Sequence, residues 1–187
     1  MSVSTSLTNQ FLIAMPGLQD PNFSRTVTYV CEHNTQGAMG IIINRPMDLR
    51  LGDVLEQLDI EPEMPRIAEQ IVYQGGPVQT DRGFVIHAGA DNFDSTLMVT
   101  PDLRVTTSRD ILEALAKGTG PEHCLVALGY AGWTSGQLEK ELSANTWLSG
   151  PIDHDTLFKA PASERLQAAA QLIGIDLNLL SGEAGHA

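Results

Sequence analysis

The stretch CEHNTQG, at positions 31–37, carries the most reactive side chains of this sequence. If it is part of a β-strand, Cys31 and His33 point to the same face, where they could pair a thiolate with a base or bind a metal ion. Two ligands do not make a zinc site, and the other histidines each stand alone in the sequence. We therefore predict no metal and no cofactor, and favour a structural strand end. Cys31 with His33 stays the alternative, as a thiol-based enzyme or redox sensor.

The stretch GYAGWTSGQL, at positions 129–138, follows the apolar run CLVAL. A nucleophile elbow requires Gly-x-Ser-x-Gly between a strand and a helix, but the serine of this stretch stands one place too late. A glycine-rich turn before a helix could instead direct backbone N–H groups at an anion. The interpretation that we favour is a structural strand–turn–helix junction, in which Ser135 caps the helix and Trp133 fills the turn.

Two connections rich in proline and glycine each carry an aspartate and an arginine. MPGLQDPNFSRT, at positions 15–26, contains Asp20 and Arg25, and QGGPVQTDRGFV, at positions 74–85, contains the pair Asp81-Arg82. An Asp–Arg pair across a turn commonly fixes a loop through charge-assisted hydrogen bonds. The sequence therefore predicts two rigid loops that charge pairs hold in place.

Composition limits the classes of protein that these residues can belong to. The chain has 187 residues, 42% hydrophobic and 18% charged, as expected of one globular domain over residues 1–187 with ends at 1–8 and 182–187 as candidate flexible segments. The net charge of −12, without a basic cluster, makes direct nucleic-acid binding an unfavourable hypothesis. No apolar run reaches membrane-spanning length and no secretory signal is recognisable, so we expect a cytoplasmic protein without membrane contact.

Alternating and helical patterns predict the elements that position the candidate residues. Helices are expected at 51–58, at 108–118 with Ser108 as N-cap, and at 163–174 with Ser163 as N-cap. Strands are expected over 9–15, 25–32, 38–45, 71–74, 83–89, 96–99, 103–106, 124–130 and 146–152. Hairpins mixed with helices, without strict βαβ alternation, predict an α+β fold with a mostly antiparallel sheet or partial β-barrel and flanking helices.

Four long stretches in this order resemble the YqgE/AlgH family of bacterial proteins. They lie at positions 11–46, 73–87, 129–148 and 180–187, so that the resemblance covers almost the whole chain. It implies a compact α+β domain built around a barrel-like sheet, in the bacterial cytoplasm. The family carries a label as a transcriptional regulator, and it supplies no catalytic residue set to carry over.

The favoured hypothesis is a non-enzymatic regulatory, protein-interaction or ligand-binding domain whose partner is another protein or a small ligand. Its predicted surface is formed by the segments 31–37, 75–82 and 129–136 together with the loop that precedes the second strand. The candidate binding residues are Asp20, Arg25, Asn34, Asn44, Arg45, Gly75, Gly76, Arg82, Gly132, Trp133 and Gln137. The alternatives are the Cys31–His33 thiol protein and a DNA-contacting transcriptional regulator.

Overall fold

Ten strands form one curled, mostly antiparallel sheet in the computed structural model, which describes residues 5–184. The strands are β1 (Gln10–Ala14), β2 (Val27–Asn34), β3 (Gly37–Ile42), β4 (Pro46–Arg50), β5 (Ile71–Gln74), β6 (Val78–Ala88), β7 (Thr96–Met98), β8 (Leu103–Thr106), β9 (Cys124–Thr134) and β10 (Trp147–Pro151). The main path through the sheet runs β10-β1-β2-β3-β9-β6-β8-β7, so β10 and β7 lie at its two ends. A branch adds β5 and β4, and β5 pairs with β9 in parallel.

Six α-helices and one π-helical turn flank this sheet within residues 5–184. They are α1 (Leu51–Gln57), α2 (Pro65–Ala68), α3 (Arg109–Lys117), α4 (Gln137–Ser143), the π-helical turn Asp155–Lys159, α5 (Ala162–Leu172) and α6 (Leu177–Ala184). Helix α3 ends at Gly118, which adopts a left-handed conformation with φ +76° and so can close the helix without steric cost. None of these helices is long and apolar enough to cross a lipid bilayer.

The sheet separates the apolar side chains into distinct clusters because successive residues of a strand face opposite sides. The inner cluster joins Phe11 of β1 to Val105 of β8, near the two ends of the sheet, and α5 and α6 pack against it. Because side chains from strands near opposite ends of the sheet pack in this one cluster, the sheet must curl around it. Helices α1 and α3 cover the opposite face through Leu55 and Ile111, which pack against Val85 of β6.

The predicted α+β class, with an antiparallel partial barrel and flanking helices, is confirmed. The strands at 71–74 and 103–106 have the predicted bounds, and Ile41, Ile42 and Ile43 are buried, as an apolar run without alternation suggests. Strand β9 is longer than predicted: it continues through the glycine-rich motif to Thr134.

Two predicted helix caps are wrong. Pro161, rather than Ser163, is the N-cap of α5, because proline supplies an extended residue directly before a helix that starts at Ala162. Gly136, rather than Ser135, is the N-cap of α4 and has φ +75°. The Ser135 hydroxyl instead donates to the backbone oxygen of Thr35 at 2.5 Å, which ties the turn to the β2–β3 hairpin.

Candidate functional site

Strand β6 leaves its partner β9 for four residues and then rejoins it. Val78 pairs with Tyr130 and Gly83 with Leu128, so residues 79–82 oppose only Gly129. We call residues 79–82 the β6 excursion. Gly129 has φ +81°, and a Cβ atom there would lie 2.4 Å from the backbone oxygen of Gly76. A glycine is therefore required where β9 passes close to the β5–β6 connection, and the four residues of the β6 excursion form a bulge in the ladder at this point.

The same close approach explains Gly75 and Gly76, two of the predicted binding residues, which lie between β5 and β6. A Cβ atom on Gly75 would lie 2.4 Å from the Gly129 oxygen, and one on Gly76 would lie 2.1 Å from the backbone carbon of Tyr130. Both positions are buried. Gly75 and Gly76 thus allow close approach of two backbones beneath the β6 excursion, which is a structural role.

Arg82, on the β6 excursion, is held by contacts on two sides. Its guanidinium carbon lies 5.6 Å from the centre of the Phe84 ring. One N–H group donates to Gln79 Oε1 at 3.3 Å and another to Thr107 Oγ1 at 3.2 Å. A guanidinium has five N–H donors, so three of them have no protein partner within residues 5–184.

Gln79 has a backbone conformation that residues with a side chain rarely adopt. Its φ is +48°, in the left-handed region, which costs roughly 1–2 kcal/mol for a residue with a Cβ atom. Gln79 is exposed, and its carboxamide oxygen accepts from Arg82. Strain of this kind often lies at ligand-binding positions, where the surrounding structure maintains it.

An open cleft of about 430 Å³ lies beside Arg82. Its apolar wall is formed by Met39, Phe84, Leu97, Val105 and Tyr130, and its polar rim by Gln79, Arg82, Ser95, Thr96 and Thr107. The Tyr130 ring meets the Phe84 ring edge-on, with centroids 5.5 Å apart. Arg82 is the one charged side chain of this lining, so the cleft combines an aromatic wall with a single positive charge.

The loop before β2 is held by Arg45, not by the predicted Asp20–Arg25 pair. Within the described chain Asp20 and Arg25 form no ion pair. Arg45 donates to the backbone oxygens of Asn22 at 2.8 Å and Ser24 at 2.9 Å. Burial lowers the pKa of Arg45, and the negative charge of Asp20 opposes that shift. The prediction was wrong because the partner lies beyond β2 and β3 in the chain.

Asn44 connects the same loop to the sheet. Its Oδ1 accepts from the N–H of Val27 at 3.0 Å, and its Nδ2 donates to the backbone oxygen of Arg25 at 3.0 Å. Arg25 is exposed and has φ +58°, so this amide supports a strained turn. The observed hydrogen bonds of Asn44 and Arg45 therefore stabilise the loop before β2.

Trp133 belongs to a third cluster, together with Leu138 of α4 and Trp147 of β10, whereas Gln137 is exposed. Trp133 is only 6% exposed, and the side chain of Phe23 lies against it, with ring centroids 6.2 Å apart. Gln137 accepts the N–H of Thr134 at 2.9 Å and donates to Glu141 at 2.9 Å. Gln137 thereby satisfies a backbone N–H group that the anion-binding interpretation would need free.

The remaining predicted binding residues lie at the ends of β2 and β9. Asn34 accepts the N–H of Gln36 at 2.8 Å and so shapes the β2–β3 turn. Gly132 is exposed, and a Cβ atom there would lie 3.4 Å from the Tyr130 ring. Of all the predicted binding residues, Arg82 alone lines the cleft.

Cys31 and His33 do not share a face, contrary to the prediction. The pairing of β2 with β3 shifts by one residue between Val30 and Glu32, which makes Cys31 the extra residue of a β-bulge. Cys31 packs in the inner cluster, whereas His33 turns to the third cluster, where its Nδ1 accepts the N–H of Leu7 at 2.9 Å. Its Nε2 therefore carries the proton and faces Glu139 Oε1 at 2.5 Å.

The surroundings of Cys31 do not favour a thiolate. Burial raises the pKa of the Cys31 thiol far above its usual value, and the nearby charge of Glu32 raises it further. Cys124 is the second free cysteine and is less buried than Cys31. Among residues 5–184, no group of three or more histidine, cysteine or acidic side chains is arranged to hold a metal ion.

Sequence reasoning missed most of the cleft. Tyr130 and Gln79 lie in the glycine-rich motifs at 129–138 and 74–85, whose composition predicted a turn and a rigid loop. Leu97 lies in β7 and Thr107 directly follows β8. Neither stretch carries a recognisable motif. Glu141 of α4 was also missed, although its spacing from Gln137 places the two on one helix face.

The curled antiparallel half-barrel with flanking helices defines an α+β domain, and an open cleft lies beside β7. A family model described as AlgH-like (DUF179) matches residues 11–178. A UPF0301 protein of Thioalkalivibrio sulfidiphilus is 59% identical over all of both chains, and one of Ralstonia nicotianae is 53% identical over 97% of this chain and 96% of its own. The chain therefore belongs to the AlgH-like, or UPF0301, family.

Solved structures agree with this assignment. The solution structure of the AlgH protein from Pseudomonas aeruginosa has a TM-score of 0.81 and 54% sequence identity, and the match covers 100% of this chain and 99% of that one. A protein from Corynebacterium diphtheriae, at 20% identity and a TM-score of 0.74 over 97% and 94% of the chains, shares the fold. These names describe no activity, so membership assigns a fold and not a reaction.

Proposed function

We propose that this chain is a non-enzymatic binding domain and that the cleft beside Arg82 is its binding site. The ligand has an apolar, preferably aromatic, body and one anionic group. The observation that carries the proposal is the placement of Arg82: its guanidinium is held over Phe84 while three N–H groups stay without a protein partner. Arg82 is exposed, and a carboxylate or phosphate is the natural acceptor for its remaining N–H groups.

The composition of the cleft supports binding rather than catalysis. Its wall is apolar and aromatic, as in sites that take up small organic molecules or side chains. Arg82 and Tyr130 are the titratable groups of its lining, and neither histidine, cysteine nor carboxylate stands there as a general base. A regulatory role would consist of coupling occupancy of this cleft to a partner.

Isothermal titration with 3-phenylpropionate and with the uncharged 3-phenylpropionamide tests this proposal. The carboxylate is expected to bind at least about tenfold more tightly than the amide, because only the carboxylate can accept two charge-assisted hydrogen bonds from Arg82. Arg82→Gln should remove that preference, whereas Arg66→Gln, the same change at an exposed site on α2, should keep it.

Equal affinity for the carboxylate and the amide would contradict the role of Arg82. Failure of both compounds to bind, with the protein folded, would contradict the assignment of the cleft as a site for aromatic anions.

A further inference from the structure

Strand β7 lies at an end of the sheet path and forms one wall of the cleft. It pairs with β8 on one side, and β8 is its sole strand partner within residues 5–184. Two of its side chains are exposed although they are apolar: Leu97 is 38% exposed and Met98 is 56% exposed. An unpaired edge with exposed apolar side chains is a template for an additional strand.

The hydrogen-bond pattern identifies the backbone groups that are available. Thr107 donates to the oxygen of Ser95 at 3.0 Å, and Val99 donates to the oxygen of Leu103 at 3.0 Å, so Ser95 and Val99 face β8. Because the direction alternates in an antiparallel ladder, Thr96 and Met98 direct their backbone N–H and C=O groups away from β8. These groups could pair with a further strand.

We propose that the ligand of the cleft is an extended peptide with an acidic side chain, which adds to β7 as the next strand. This inference rests on the proposed function and narrows its ligand class. Side chains of an added strand alternate, so every second one would lie on the face of Leu97, which lines the cleft. Backbone pairing with β7 would supply affinity, and the cleft would select the side chains.

Arg82 and β7 border the same cleft, so a side chain that enters the cleft from an added strand would approach Arg82. Arg82 contacts Thr107, and Thr107 in turn pairs with Ser95, the residue directly before β7. Ser95 and Arg82 line the same cleft. Because the guanidinium has unpaired donors and the cleft lining contains no acidic residue, a glutamate or aspartate of the peptide is the complementary group.

A second copy of this chain fits the edge less well. Asp94 precedes β7 and Asp102 lies in the turn that follows it, so pairing two β7 strands would bring the aspartates of both copies together. Residues Thr96–Met98 also carry no acidic group to meet Arg82. Charge complementarity therefore favours an acidic peptide over self-association.

Selection from a displayed library of extended peptides, followed by fluorescence anisotropy on synthetic blocked peptides, tests the inference. Selected peptides should contain an acidic residue, and its replacement by the matching amide should weaken binding at least about tenfold. Met98→Pro removes an outward N–H group without a ladder bond to β8 and should weaken binding by a similar factor. Met98→Ala, which keeps the N–H group, should bind nearly as the unchanged protein does.

The outcomes separate this inference from the proposed function. If Met98→Pro binds the peptides as the unchanged protein does, or if no peptide is selected while 3-phenylpropionate still binds, strand addition is overturned and the cleft assignment stands. If the unchanged protein sediments as a dimer and Met98→Pro as a monomer, the edge belongs to a second copy and the peptide inference is overturned. If neither peptides nor 3-phenylpropionate bind, both proposals fail.

Discussion

Trp133 and Trp147 donate their indole N–H groups to the same carboxylate oxygen. Glu141 Oε1 accepts both, at 3.1 and 2.9 Å, and Gln137 donates to the other oxygen of that carboxylate. The rings meet edge-on, with centroids 6.0 Å apart, and are 6% and 3% exposed. Glu141 of α4 thus holds both tryptophans of the third cluster in place and connects α4 to β9 and β10.

Glu141→Ala should lower the free energy of unfolding by about 2–4 kcal/mol, because two buried indole N–H groups lose their acceptor. Glu141→Gln keeps one acceptor oxygen and should cost clearly less. Urea denaturation followed by tryptophan fluorescence measures both, since the two tryptophans of the chain both belong to this cluster. Equal stability of Glu141→Ala and the unchanged protein would contradict the structural role of this carboxylate.

Gly129→Ala should be strongly destabilising, by about 3 kcal/mol or more, because the added Cβ atom would clash with backbone and the left-handed φ would be strained. The matched control is Gly17→Ala, where a Cβ atom meets nothing within 4 Å. Thermal unfolding of the two variants tests the close approach of Gly129 to the backbone of Gly76. A Gly129→Ala variant as stable as Gly17→Ala would mean that β6 and β9 do not approach as closely as described.

His87 should make the protein less stable as the pH falls below neutral. Its ring is fully buried and Nε2 contacts Thr106 Oγ1 at 2.8 Å. Burial lowers the pKa of His87, and the charge of Arg104 adds to this shift while that of Asp91 opposes it. The unfolded chain therefore binds the proton more readily, and stability is lost as the pH drops through the ordinary pKa of histidine, near 6.5.

His87→Gln should flatten the dependence of unfolding free energy on pH between neutral and mildly acidic conditions, because the variant has no group there to protonate. Urea denaturation at a series of pH values provides the measurement. If the slope is the same in both proteins, protonation of His87 does not contribute to it.

Cys31 should react more slowly with iodoacetamide than Cys124 in the folded protein. Burial raises the pKa of both thiols, but Cys31 lies inside the inner cluster while Cys124 is only partly buried. Peptide mass spectrometry of timed reactions distinguishes the two sites, and denatured protein serves as the control in which both should react alike. Rapid alkylation of Cys31 at neutral pH would revive the thiol-protein hypothesis.

Local patterns were sufficient to predict the class of the fold and most of its strands. They failed where contacts distant in sequence decide the geometry. The bulge at Cys31 is visible only in the pairing of β2 with β3, and it reverses the expected facing of His33. Likewise, the sequence suggests a turn at Gly129, but β9 continues through this residue while residues 79–82 of β6 bulge opposite it.

The candidate site was predictable only in part for the same reason. Arg82 lies in the motif QGGPVQTDRGFV, whose glycine and polar residues predicted a loop and a candidate binding surface. Phe84 lies two residues after Arg82 on the same strand, but Thr107 and Leu97 come near Arg82 only when β6, β8 and β7 are side by side. No spacing in a single sequence encodes that convergence.

Two-dimensional ¹H–¹⁵N and ¹H–¹³C NMR of the labelled protein during titration with 3-phenylpropionate tests the central claim most directly. We expect the largest shift changes to cluster at Met39, Phe84, Leu97 and Tyr130. Arg82→Gln should need at least about tenfold more ligand for the same changes, whereas Arg66→Gln should not. Saturable shift changes confined to another part of the surface, or identical changes in Arg82→Gln, would contradict the cleft as the binding site.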